Sequence, residues 1–391
     1  MFKILTLNNI AVEGLRRLSR ERYEVASDIS QPDAILVRSH NMHDMDIPES
    51  VAAIGRAGAG TNNIPIEALS ARGVPVFNAP GANANAVKEL TLAGMIIGAR
   101  NLFGAADYVE ALAETGDALD KAVEAGKKQF VGFELPGKTL GVIGLGAVGV
   151  EVANAALELG MKVVGFDPAV TVRNAWQMSS GVEHVDTLDQ LFQHADFISL
   201  HVPLVDATKK LVNADRLSLM KDGGVLINFA RDGIVDNDAA IAALDSGKLH
   251  SFVTDFPTPA LIAHPKAVAL PHLGASTAEA EENCAVMVAE NIKEFLENGN
   301  IRFSVNFPEA RLQRLDAWRI TVANANVPNM VGQISTCIAN TGLNIEDLLN
   351  KSSGELAYTI VDVNAEPSQV LLEEIRGIEG VLTLRNLGKP V

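Results

Sequence analysis

Residues 139–167, TLGVIGLGAVGVEVANAALELGMKVVGFD, leave a chain few ways to fold. An apolar run enters Gly144, Gly146 and Gly149, a helical pattern follows, and a second apolar run ends at Asp167, 18 residues past the last glycine. Glycine triplets recur in many turns. A triplet between strand and helix, with an acid after the next strand, has the context of a dinucleotide-binding turn. Gly144 permits the sharp turn, Gly146 lets the backbone approach a pyrophosphate, and Gly149 lets helix and strand pack closely. The helix start offers unpaired N–H groups to phosphates. Asp167 suits both ribose hydroxyls and repels a 2′-phosphate, which selects NAD over NADP. The competing reading is an α/β turn with no ligand.

Such a turn fills only part of this sequence. At 391 residues the chain exceeds one ordinary core, so two or three domains are expected. The net charge of −16 disfavours nucleic acid and anionic membrane as partners, and an anionic ligand then needs local arginine or lysine. Cys284 and Cys337 cannot form a disulfide framework, and no metal-ligand spacing surrounds them. They read as core thiols in a reducing compartment. The opening MFKILTLNNI reads as a strand rather than a signal peptide. The longest apolar run, Leu140–Phe166, is interrupted by Glu151, Asn154 and Glu158, so no membrane span is expected. The expected location is the cytoplasm.

Up to about Gly98, short apolar runs (KILTL, AILVRS, VAAIGRAG, VPVFN) alternate with helical patterns, as in a parallel α/β layer. A second α/β block has six expected strands near 139–143, 162–166, 196–201, 224–229, 251–255 and 267–270, which describes a doubly wound dinucleotide-binding domain. From Ser276 a long helix carries Cys284, Val288, Ile292 and Phe295 on one stripe, and it is expected to return to the first block. Residues 301–317 contain Pro308 and no sustained period, and read as a linker. Beyond it, strands near 319–324, 345–350, 356–363 and 381–386 with helices near 329–341 and 368–377 spell a split βαβ unit of ferredoxin-like type. The expected segments are thus 1–98, 99–275, 276–300, 301–317 and 318–391.

A nicotinamide cofactor implies hydride transfer, for which the protein supplies orientation and proton handling. Histidine suits the proton at neutral pH, and a guanidinium suits a substrate carboxylate. Arg231 follows the strand GGVLINFA and His272 follows VALP, both at carboxyl ends where ligands of open α/β sheets gather. The plainer alternatives are a surface ion pair and a structural histidine.

NFARDGIVDNDAAIAALDSG, PHLGAST and AGAGTNNIP resemble the D-isomer-specific 2-hydroxyacid dehydrogenases, over essentially the whole chain. The resemblance is strongest to the branch that acts on a phosphorylated hydroxyacid and carries a C-terminal ACT domain. It implies a Rossmann cofactor domain inserted in a flavodoxin-like α/β substrate domain, with NAD as cofactor. Arg231 would then pair with the substrate carboxylate and His272 would be the general acid/base. Arg38, Ser39 and Arg56, with the loop of Gly58, Ala59 and Gly60, would collect the substrate's anionic groups, and Asn78 would line the pocket. Ala147 and Val148 would donate amides to the pyrophosphate. Val202 would touch the cofactor, Ala230 and Asp255 would hold its amide, and Gly274 and Ala275 would line the same end. A homodimer or homotetramer is implied, in which Lys127 or Lys128 reaches a neighbouring subunit's substrate; both read more plainly as surface lysines. L-serine is the implied effector, with Asn324, Asn326 and Asn344 at its site.

Two departures qualify the resemblance. The family's glutamate beside the catalytic histidine would fall near Pro259 or Ala260, yet no acid lies between Phe256 and His272. Without it His272 should titrate lower than in relatives, oriented by water, Thr258 or Asp255. In the C-terminal block Asn324 replaces a histidine and Asn329 a glycine, though asparagine tolerates unusual turns. The alternatives to the phosphorylated substrate are a relaxed 2-oxoacid reductase acting on hydroxypyruvate or 2-oxoglutarate, and a dinucleotide-sensing protein with little turnover.

Overall fold

The apolar runs assemble into three sheets in the computed structural model, which describes residues 1–390. The chain folds as two units: Met1–Ala82 together with the chain from Glu281 onward, and Asn83–Ala280. The first unit holds two of the sheets and the second unit one.

In the first unit, β1 (Phe2–Leu7), β2 (Tyr23–Ala26), β3 (Ala34–Val37), β4 (Ala53–Arg56) and β5 (Val76–Phe77) lie in the order β2-β1-β3-β4-β5. All pairings are parallel, which is the flavodoxin-like order. The β2 strand was not anticipated; YEVA is four residues at a sheet edge, too short to show a period. The long helix runs Ala278–Asn298, and its expected stripe is buried: Cys284, Val288, Ile292 and Phe295 share a core with Ile4, Leu36 and Phe77. Contact there is close, since a Cβ on Gly55 would stand 2.7 Å from the Val288 side chain.

In the second unit, β6 (Thr139–Ile143), β7 (Lys162–Phe166), β8 (Val182–His184), β9 (Phe197–Leu200), β10 (Gly224–Asn228), β11 (Leu249–Thr254) and β12 (Ala267–Ala269) form one sheet of order β12-β11-β10-β9-β6-β7-β8. It is parallel throughout and has the doubly wound arrangement. Seven described strands replace the six expected. The extra one, VEH, is three residues at an edge, too short and polar to show a period. The Ala84–Arg100 helix also belongs here, so the boundary falls after Ala82 rather than after Gly98. Gly94 and Gly98 explain this: Cβ atoms there would meet Phe229 at 3.0 Å and Val225 at 2.8 Å, so the helix lies almost directly on β10 and β11.

The C-terminal block is ferredoxin-like. Strands β13 (Trp318–Ala325), β14 (Ile345–Ser353), β15 (Leu356–Val363) and β16 (Val381–Gly388) form an antiparallel sheet of order β14-β15-β13-β16. Helices Met330–Asn340 and Gln369–Arg376 pack on it through Ile334, Ile338, Leu371 and Ile375. Asn329 takes φ +64° at the first helix start, the left-handed turn anticipated for it.

This block is not tethered by a free linker. Ile301, Phe307 and Ala310 of the expected linker are buried in the first unit's core, together with Tyr358 and Ile360 of the ferredoxin-like sheet. Arg319 is fully buried and spends all five donor protons: two on Asp362 at 2.6 Å each, the others on the carbonyls of Asn298, Leu312 and Gln313. Arg385 donates to the carbonyls of Phe295 and Leu296 and lies 4.4 Å over the Phe295 ring, closing the long helix where a cation is favoured. Among the described residues no helix is long and apolar enough to cross a membrane.

Candidate active site

The glycine turn in the second unit has the geometry its sequence demands. Gly144 sits at φ +92°, and a Cβ there would lie 2.5 Å from the His201 carbonyl oxygen and 2.8 Å from Val202. A Cβ on Gly149 would lie 1.9 Å from the Gly144 oxygen, so helix and turn touch backbone to backbone. Above Gly146, by contrast, no described atom lies within 4 Å of where a Cβ would stand. That opening faces the start of the Ala147–Glu158 helix, whose first internal bond is Val150 N–H to the Gly146 oxygen. The amides of Ala147, Val148 and Gly149 are therefore left without partners inside the helix, as a bound phosphate requires.

Asp167 directly follows β7 and is aimed by the turn itself: its carboxylate accepts the Leu145 and Ala169 N–H groups, both at 2.8 Å. Asn174, which carried no signal in the sequence, donates to the Leu145 oxygen at 3.2 Å from the other side. His201, whose carbonyl faces Gly144, has Nε2 2.9 Å from Ser199 Oγ. Burial pushes it down to about 4, so it stays neutral near pH 7 and is no rival to His272 as a proton carrier.

At the other side of the same sheet, three carboxyl ends bring the remaining candidates together. Arg231 follows β10, Asp255 follows β11 and His272 follows β12, so the strands bearing Arg231 and His272 are not neighbours but flank β11. Asp255 is fully buried; its Oδ2 accepts the Gly274 N–H at 3.0 Å, while Oδ1 has no partner. Burial raises its pKa, against the opposing pull of the Gly274 amide and of His272 nearby. An orphaned, buried acceptor is what a carboxamide N–H would satisfy, so this corner fits the nicotinamide end of NAD. The His272 N–H bonds to the Asp255 oxygen at 3.0 Å and its ring lies 5.0 Å from that of Phe256.

No hydrogen bond reaches the exposed His272 ring among the described residues. Thr258 caps the short Pro259–Ile262 helix, its Oγ1 accepting the Leu261 N–H. Pro259 thus stands at the first turn of a helix, a position proline favours. Asp255 is the remaining carboxylate close to the imidazole. Arg231 is half-buried and folds back onto the Ala230 oxygen at 2.6 Å. Asn228 shapes that turn, accepting from Ala230 N–H and donating to the Arg231 oxygen. It was missed because an asparagine at the end of an apolar strand reads as an ordinary terminus.

The first unit holds the anion-binding candidates. Arg38, directly after β3, pairs with Glu281 at 2.6 Å, which raises the arginine and lowers the carboxyl. Glu281, too, was missed, because 243 residues separate the two. Ser39 and His40 N–H groups both bond to Asn8 Oδ1, and Asn63 donates to the Arg38 and His40 oxygens, so two unpredicted asparagines pin this loop. Arg56 ends β4 and lies against Gly58, where a Cβ would be 1.7 Å from the guanidinium. Asn78 Nδ2 bonds to the Ala59 oxygen at 2.6 Å, fastening the loop through Gly60.

The three asparagines in the C-terminal block do not converge. Asn324 and Asn326 lie at the end of β13 beside Leu356, with Asn326 bonded to the Gly354 oxygen. Asn344 precedes β14 at the opposite end of the sheet and bonds to Asn364 Oδ1. About seven residues of strand separate them, on the order of 20 Å. Lys127 and Lys128 are exposed in the second unit, with Lys127 paired to Glu124.

Residues 102–274 match the family described as D-isomer specific 2-hydroxyacid dehydrogenase, NAD binding domain. A D-3-phosphoglycerate dehydrogenase of Haemophilus influenzae is 32% identical over 363 residues, covering 90% of this chain and 85% of that one. The chain belongs to the D-isomer specific 2-hydroxyacid dehydrogenases. As a member it is an NAD-dependent oxidoreductase. Another family member, the D-3-phosphoglycerate dehydrogenase of Methanocaldococcus jannaschii, is 35% identical over 364 residues; the alignment covers 90% of this chain and spans 65% of that longer relative. Among solved structures, the NAD+-bound 3-phosphoglycerate dehydrogenase of Entamoeba histolytica superposes with a TM-score of 0.60 at 28% identity, over 78% of this chain and 98% of that one.

Proposed function

We propose that this dehydrogenase oxidises D-3-phosphoglycerate to 3-phosphohydroxypyruvate, the first step of the phosphorylated route to L-serine. The observation that carries the reading is the Arg231–Asp255–His272 corner, at the carboxyl ends of β10, β11 and β12 in a chain with D-3-phosphoglycerate dehydrogenase relatives. NAD, when bound, supplies the hydride acceptor. Ala147, Val148 and the glycine turn hold its pyrophosphate, Asp167 its ribose, and Asp255 with Ala230 its carboxamide, while Val202, Gly274 and Ala275 line the site.

His272 removes the proton from the C2 hydroxyl as general base and returns it to the ketone oxygen in the reverse direction. Arg231 turns from the Ala230 oxygen to pair with the substrate carboxylate. Arg38, Ser39, Arg56, the Gly58–Gly60 loop and Asn78 hold the phosphate. Arg38 exchanges Glu281 for the substrate anion, so no bare guanidinium waits in the free protein. With no glutamate at Pro259 or Ala260, the imidazole relies on Asp255, whose backbone oxygen already fixes the His272 amide.

The enzyme works in the cytoplasm as a homodimer or homotetramer. The two unpaired cysteines support a reducing compartment. In the ACT-like domain, the separation of Asn324 and Asn326 from Asn344 supports an L-serine site made only between two copies. Isothermal titration tests it: heat with L-serine that is lost in Asn344→Ala supports the site, and no heat rejects it.

The decisive assay is NADH oxidation with phosphohydroxypyruvate, hydroxypyruvate and 2-oxoglutarate side by side. A strong preference for the phosphorylated ketone is expected. Equal turnover of hydroxypyruvate would make this a relaxed 2-oxoacid reductase, and NADH binding without turnover would make it a dinucleotide sensor. His272→Ala should lower kcat by about 10²–10⁴-fold with NADH binding retained. Unchanged turnover would remove His272 from the mechanism.

A further inference from the structure

In the first unit, a cavity of about 620 Å³ opens beside the Ala278–Asn298 helix, lined by Asn291, Glu294, Arg302, Phe303 and Arg311. A second recess of about 510 Å³ shares Glu294 and Arg311 and adds Arg314. Neither contains Arg38 or Arg56.

The hydrogen-bond inventory is one-sided. Asn291 is 6% exposed and its Nδ2 has no partner; Arg314 Nε and Nη1 are buried and unpartnered, only its Nη2 reaching the Gly388 oxygen. Arg302 and Arg311 form no ion pair among the described residues. Arg302 rests over the Phe303 ring at 4.6 Å. The carboxylates nearby are engaged with other groups: each Glu294 oxygen accepts one bond, from Asn298 and Asn300, and Glu290 at the rim faces Arg17 at 3.7 Å. Buried donors without acceptors are costly. In a chain with a net charge of −16, three arginines line two recesses that share Glu294 and Arg311, and none of the three forms an ion pair among the described residues.

We propose that this recess binds a small oxyanion ligand, a phosphate ester or a dicarboxylate, at a site separate from the substrate loop. Arg302 and Arg311 supply the charge, and Asn291 and Arg314 the buried donors.

The same recess is wired to the loop that holds Asn78. Phe303 adopts φ +56°, a left-handed conformation that an aromatic residue rarely takes. Its carbonyl accepts the Asn78 N–H at 3.2 Å, and Asn78 in turn holds the Ala59 oxygen. An anion that draws Arg302 off the Phe303 ring acts on a strained residue two hydrogen bonds from the Ala59 loop. Occupancy thus alters substrate affinity, a consequence that rests on the proposed reaction; the binding itself does not.

Calorimetric titration of the full chain with inorganic phosphate and, separately, with succinate tests this. At least one of the two should show a binding event that Arg302→Gln/Arg311→Gln weakens tenfold or more and Arg302→Lys/Arg311→Lys retains. Phosphate binding identifies a phosphate ester, succinate binding a dicarboxylate. No binding, or binding unchanged in the Gln variant, overturns the site. Saturating anion should shift KM for the phosphorylated ketone at least twofold more in wild type than in the Gln variant; equal shifts overturn the coupling. Anion binding without any ketone turnover would instead refute the proposed reaction and leave the site standing.

Discussion

Two arginine–carboxylate pairs in the first unit share a 2.6 Å contact and almost nothing else. Arg319–Asp362 is 0% exposed on both sides, bidentate, with every remaining donor proton placed on a carbonyl. Arg38–Glu281 is 35% and 42% exposed and rests on a single bond. In the buried pair neither charge can leave without stranding the other. In the exposed pair water can take either partner's place, so the arginine remains available to another anion. Distance alone does not separate a structural pair from a binding one; burial and the number of committed donors do.

The contrast breaks most visibly at Asp362. Asp362→Ala leaves a buried guanidinium uncompensated and should cost about 3–5 kcal/mol in urea unfolding. Replacing both partners together, Arg319→Met with Asp362→Leu, should recover most of that loss. Arg38→Gln should instead leave unfolding within about 0.5 kcal/mol and raise KM for the phosphorylated ketone about 10–100-fold, as expected for a charged hydrogen bond. A large stability loss at Arg38 would erase the distinction.

Asp255 offers an intermediate case, a buried carboxyl with one free oxygen. Its pKa is raised in the folded state, so its stability contribution is fullest at low pH and falls as pH rises from 3.8 through the folded value. Asp255→Asn should therefore gain on wild type as pH increases, by about 1 kcal/mol at pH 8, while NAD affinity drops; urea midpoints at pH 5 and 8 with a fluorescence titration would show both. The smallest effect belongs to Glu281. Its depressed pKa makes the pair's contribution present above about 4.5 and lost as pH falls through the folded value. Glu281→Gln should flatten that acid limb, change stability by less than about 1 kcal/mol, and lower KM a few-fold by releasing Arg38.

What was legible in the sequence follows the same division between local and distant determinants. The glycine turn, Asp167 and the buried stripe of the long helix are set by neighbours along the chain, and each stands where its spacing put it. The β2 and β8 edge strands were too short to show a period. Residues 301–317 lack periodicity because they cross a core rather than run along it: Ile301, Phe307 and Ala310 are single buried anchors in irregular chain. Glu281, Asn228, Asn8 and Asn63 hold candidate site residues through bonds no one-dimensional pattern marks. Asn8 alone left a trace, since asparagine after a strand suits the φ +68° it adopts.

The saturated Arg319 has a consequence for how such a chain can be recombined. C-terminal domains are often treated as cassettes that a cut in the connecting segment can exchange. Here the cut would sever Arg319 from the Asn298, Leu312 and Gln313 oxygens and Arg385 from the end of the long helix. A graft of residues 318–390 onto a homologous body would keep the Asp362 pair but leave three of the buried guanidinium's five protons without the oxygens that receive them. The smallest exchangeable piece therefore starts further upstream, with the long helix and the segment after it travelling together with the ferredoxin-like sheet.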